Sequence, residues 1–215
     1  LWQDYERVLD VAADIGLEGI SLEVSWARLE PRRGQRDDAA LSRYADVIAH
    51  ARRRGLWVNV AAIDAAWPAW LGLEAWLLPW VVPVAISHGR WLTSSLDVDG
   101  FSVFASSDQL TRGFLNVQDG PPWRRGARED AQSARVNLAR IDAGIREGSR
   151  STFPTSVRLD LDAPNVGSFD VDEVHLSSLV RGAGPLASAR GLLARRGDEW
   201  LAADEDLVGE LRRRL

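Results

Sequence analysis

Cysteine, methionine and lysine are absent from this sequence, and histidine occurs only three times. Without cysteine there is no disulfide framework and no thiolate chemistry, and three scattered imidazoles argue against a His-rich metal site. No run reaches the ~18 uninterrupted apolar residues of a membrane span, and no signal peptide opens the chain. These absences lead to the expectation of a soluble, cytoplasmic protein with no metal, no cofactor and no membrane partner. An opening Leu1 in place of Met leaves room for a segment upstream. Every one of the 26 bases is Arg, set against 31 acids for a net charge of −5, so the basic face of a nucleic-acid binder is not expected.

What is present suits a packed core. The 215 residues are 46% hydrophobic and include ten tryptophans, enough for one domain over residues 1–215, although ~250 residues is usual for an eight-stranded α/β barrel. The most informative stretch is residues 19–76. It reads GISLEVSWARLEPRRGQ, then a helical pattern, then LWVNVAAIDAAWPAWLGLEAW. Each half is a buried-strand run that ends in Trp, Pro and charge, which is how the loop after a barrel strand reads.

In chain order, Tyr5, Val8, Leu9, Ala12 and Ile15 make one helical face over residues 3–15, stopped by Gly16. Residues 19–25 read as a strand. A helix capped by Asp37 or Asp38 follows, with Leu41, Tyr44, Ala45, Ile48 and Ala51 inward and Gly55 as its stop. Residues 56–63 are the second strand, completing a βαβ unit and implying a parallel sheet. Beyond Pro79 and Pro83, which are confined to a loop or a first turn, Ile86, Leu92 and Leu96 predict a helix. Residues 100–105 form a third strand, residues 112–126 a loop containing PPWRRG, and Ala134, Leu138, Ile141 and Ile145 mark a long helix. Alternation over 156–162 and 171–177 predicts two more strands, GLLARRGDEWLAA a short hairpin, and Asp204 caps a terminal helix. Five parallel strands are expected where a closed barrel has eight.

SWARLEPRRG resembles the W-x-R-x-x-P-x-x-G loop after the second strand of the clan A barrel glycosidases, notably glycoside hydrolase family 1, the β-glucosidases. AWPAWLG is similar to the P-x-W-L loop of the third strand, WLLP to the W-L-x-P that opens the next helix, and PPWRRG to a loop beyond the fourth strand. The resemblance spans about residues 2–147. It implies an α/β fold, a partial or shortened (β/α)8 TIM-type barrel with strands inside and helices outside. It also implies a glycosidase, or the descendant of one, with a small carbohydrate as ligand. An open barrel of this kind would leave an edge through which copies could associate.

The family's site residues are carried over singly. Counting from Trp76 places the family's Asn-Glu pair on Ser107 and Asp108, so the acid/base Glu stands as Asp. The sugar-binding His four residues before the loop proline is Asp64, and the Arg five before the strand-end Trp is Ser21. Trp26 and Arg28 are retained, and the nucleophile Glu of the seventh strand has no counterpart. Hydrolysis with retention needs two carboxyls ~5 Å apart and inversion ~6.5 to 9.5 Å, so Asp108 and Asp64 are the candidate pair; the plain alternative is two solvated loop aspartates. Trp26, Trp67, Trp70 and Trp76 have the indole faces on which sugars stack, while Trp70 and Trp76 serve equally as core residues. With Arg28 and Ser107, which lies beside the acid, these set the expected site. A structural pairing of Arg28 with Glu23 is the competing reading. A non-catalytic sugar-binding or structural remnant is the alternative to an enzyme.

Overall fold

The computed structural model describes residues 3–64, 66–105, 128–148, 155–160, 171–175, 193–196 and 199–202. Seven strands lie in one sheet in chain order: β1 (Gly19–Glu23), β2 (Trp57–Ile63), β3 (Gly100–Phe104), β4 (Thr155–Asp160), β5 (Val171–His175), β6 (Leu193–Arg196) and β7 (Glu199–Ala202). β1 to β5 run parallel, with Leu22 beside Val60, Ile63 beside Phe104 and Ser156 beside Val171. The β6–β7 hairpin then continues the sheet antiparallel. All five expected parallel strands are therefore present, and the hairpin extends their sheet. Among the described residues no ladder returns from β7 to β1, so the architecture is a partial α/β barrel. The expected terminal helix at Asp204 and the PPWRRG loop lie outside the described residues.

Five α-helices accompany the sheet among the described residues, α1 (Tyr5–Asp14), α2 (Trp26–Leu29), α3 (Asp38–Arg53), α4 (Val81–Ser95) and α5 (Arg128–Gly148), with single 3-10 turns at Ala69–Leu71 and Ala75–Leu77. Asp37 caps α3 by accepting from the Ala40 amide at 2.8 Å. Gly16 and Gly55 take φ of 88° and 81°, the left-handed stop that lets Leu17 and Leu56 donate back to Ala12 and Ala51. One detail of the α3 face differs from expectation. Ala45 is exposed and Val47 is buried, because the stripe runs from Tyr44 through Val47 and Ile48 to Ala51 at i, i+3, i+4 and i+7. α1 is held against α3 by ions as well as by Tyr5 and Leu9. Arg54 reaches Asp10 and Asp14 at 3.1 and 2.6 Å, and His50 meets Asp10 at 2.8 Å.

The parallel strands present two unlike faces. One carries Leu22, Val24, Val58, Val60, Phe101 and Val103, all buried in one core with the helices, each large side chain contributing roughly 1.5–3 kcal/mol. The other carries a polar rung in which the Asn59 amide donates to Ser21 Oγ at 3.2 Å and to Ser102 Oγ at 2.8 Å. Asn59 is 2% exposed, so these bonds satisfy a group that would be costly to bury alone.

α4 and α5 meet through reciprocal notches. A Cβ on Gly89 would come within 2.3 Å of Ile145, and one on Gly144 within 2.3 Å of Ile86, so each helix receives the other's isoleucine where it has no side chain. The Arg90 guanidinium closes the joint by donating to the Gly144 carbonyl at 3.0 and 2.6 Å. Asn137 on α5 donates to the Trp76 carbonyl at 2.8 Å, fixing the loop after β2.

Candidate functional site

The C-terminal ends of β1 and β2 open into two loops of different construction. After β1 the chain turns at once into α2, which carries Trp26 inward. Glu30 staples this loop: one carboxylate oxygen accepts from the Trp26 indole at 3.0 Å and the other from the Gly34 amide at 2.7 Å. Gly34 takes φ of 74° to make that approach. Trp26 is fully buried, stacked on His88 at 4.3 Å and 11° and edge-on to Trp70 at 6.0 Å. The Trp70 indole donates to the Glu30 carbonyl at 2.8 Å, tying the second loop to the first.

After β2, Asp64 is half-buried, and Ala66 donates an amide to it at 3.1 Å. Burial pushes its carboxyl above the ordinary Asp value, and the nearby charge of Glu23 on β1 adds to the rise, against the amide bonds it accepts. Tyr44 stands behind this pair. Its hydroxyl accepts from the Ser25 amide at 3.1 Å, and burial raises it, with Arg28 and Asp64 pulling in opposite directions. The charges of Glu23 and Arg28 therefore act on Asp64 and Tyr44 respectively at the strand ends. Trp67 is half-buried, its indole donating to the Gly72 carbonyl at 2.9 Å and its ring edge-on to Trp76 at 5.4 Å.

Of the expected site, Asp64, Arg28 and Trp67 are found at or near these strand ends. Trp26 and Trp76 are corrected: both are fully buried, Trp26 beneath Glu30 and Trp76 beneath Asn137, so neither offers a ring face to a ligand. Ser107 and Asp108 lie outside the described residues. Sequence reasoning missed Glu30 and His88. His88 sits among Val81, Ala85 and Leu92 at spacings of four, three and four, so the apolar stripe of α4 could have shown it to be buried. Glu23 was read only as a structural partner for Arg28, although its alternation with Ser21 against buried Leu22 sets it beside Asp64 once the strands pair. Among the described residues no three His, Asp or Glu side chains converge on a metal-sized site, and no helix is long and apolar enough to cross a membrane.

No family model and no curated protein sequence matches the chain, but many solved structures share its fold. A β-glucosidase from Thermotoga maritima in complex with deoxynojirimycin superposes with a TM-score of 0.66 at 18% identity, over 74% of this chain and 37% of that one. The family 1 β-glucosidase from Exiguobacterium antarcticum gives 0.67 at 18% identity, over 74% and 37%. A β-glycosidase from Pyrococcus horikoshii gives 0.65 at 16%, over 74% and 38%. The chain spans less than half the length of such structures. At these identities the likeness establishes the fold alone, a partial α/β barrel shared with part of these β-glucosidase structures.

Proposed function

We propose that this chain is a glycosidase-type protein, one domain over residues 1–215, that binds a β-linked sugar over the C-terminal ends of β1 to β3. In this reading Trp67 supplies the stacking face, Arg28 and Ser107 flank the ring, and Asp64 hydrogen-bonds the sugar where the family has a His. Hydrolysis by this chain alone is negligible, because the resemblance delivers the acid position only as Asp108 and supplies no nucleophile. General acid help by itself is worth about 10²- to 10⁴-fold. The observation that carries the reading is Asp64, a desolvated carboxyl with a raised pKa at the mouth of a barrel-type sheet.

A second reading is favoured by one observation, the charge of Glu23 acting on Asp64. Glycoside hydrolysis needs a carboxyl pair, so Asp64 as acid with Glu23, or with Asp108, would make a hydrolase. Purified chain should quench indole fluorescence on adding aryl β-glycosides, with the quench lost in Trp67→Ala and no turnover above background. Turnover abolished by Asp64→Ala together with Glu23→Gln or Asp108→Ala would replace the binding reading with the hydrolytic one. An unchanged quench in Trp67→Ala would remove the proposed site.

A further inference from the structure

Away from the strand ends, the stapled β1 loop and the first turns of α4 enclose a cleft of about 570 Å³ lined by Glu30, Arg33, Arg36, Trp70, Ser87 and His88. Two guanidiniums face one carboxylate there, and Glu30 keeps its negative charge because both of its partners, the Trp26 indole and the Gly34 amide, are neutral donors. Arg33 and Arg36 make no ion pair among the described residues. Each is held over an indole instead, Arg33 at 5.6 Å from Trp80 and Arg36 at 4.3 Å from Trp91. A cation over a ring face is oriented without spending its N–H donors, so both guanidiniums keep hydrogen-bonding capacity at the cleft.

The cleft wall adds an independent feature. His88 is 3% exposed, lines the cleft, and has no hydrogen-bond partner on either ring nitrogen. The Ala62 carbonyl favours a proton on the ring but lies outside hydrogen-bond geometry. A buried imidazole with both nitrogens idle is unusual, since such groups are nearly always satisfied. Burial, with Arg36 adding to it, lowers the ring to about 3, so at neutral pH it carries one N–H donor and no charge.

From this geometry we propose that the cleft is a binding site for a small oxyanion, a phosphate or carboxylate group, carried on a compact organic body. Two guanidinium forks match the planar, paired oxygens of such groups. The Ser87 hydroxyl adds a donor, Trp70 provides an apolar wall for the remainder of the molecule, and the His88 ring, whose nitrogens are covered, lies beneath as a reporter of the cleft. The site is separate from the sugar site and does not depend on it.

The test uses the intact chain at low ionic strength, titrated with inorganic phosphate and, separately, with malonate, while the histidine ring resonances are followed by NMR. Either anion should shift His88 and leave His50 in place, whereas chloride at matched ionic strength should not. Because Arg33 and Arg36 are exposed, Arg33→Gln with Arg36→Gln should leave thermal unfolding unchanged and weaken binding about tenfold or more. A response to malonate alone would support the site and restrict it to carboxylates. No movement of His88 with either anion, or equal binding by the double variant, would overturn the proposal.

Discussion

The loops after β1 and β2 begin alike, each with a strand running into Trp and Pro, and end with opposite uses of their tryptophans. The first loop folds Trp26 into the core, because Glu30 accepts its indole proton and His88 offers a parallel ring. The second keeps Trp67 half-exposed beside a half-buried Asp64, because its indole proton goes to the loop's own Gly72 carbonyl. Both indoles find their partner within their own loop, so what separates them is the His88 ring of α4 that covers Trp26 and has no counterpart over Trp67.

Three measurements would break or sharpen that contrast. The largest effect is expected from Trp26→Ala, a loss of about 3–5 kcal/mol in urea unfolding, against less than half of that for Trp67→Ala. Equal losses would show that both rings are structural. The second concerns His88 beneath the first loop. Its pKa is depressed on folding from 6.5 to about 3, so its contribution is present above 6.5 and is lost as pH falls toward 3. Acid titration should therefore remove stability on the order of 4 kcal/mol at most over that window, with the slope reduced in His88→Gln. The smallest effect belongs to the second loop. Asp64 has a raised pKa, so its contribution is full below the ordinary Asp value and is lost as pH rises through the folded one. Asp64→Asn should then raise the urea midpoint slightly at pH 7 and not at pH 3, and a lowered midpoint at pH 7 would mean that the charge is stabilised there.

Much of the scaffold was legible in the chain. Short apolar runs marked β1 to β3, and Gly16 and Gly55 ended helices because a positive φ suits glycine. The strand order was legible beyond α5 as well, since alternation over 156–162 and 171–177 marked β4 and β5. The site was harder to read. Periodicity places a residue on a face but does not tell which neighbour will cover it. Trp26 and Trp76 were drawn into the core by contacts from residues 4 and 61 positions away, Glu30 and Asn137. Asp64 was legible as a strand-end acid, whereas the charge of Glu23 acts on it across β1 and β2, a proximity created only when the strands pair.

The reciprocal notches of Gly89 and Gly144 bear on how this architecture could be transplanted. Two helices that each seat the other's isoleucine have a single axial setting, as a key has in its lock. A protein engineer moving the β2 loop and α4 into another barrel would therefore have to carry α5 with them. Left behind, α4 would lose the gauge that sets its rotation, and with it the aim of His88 toward Trp26.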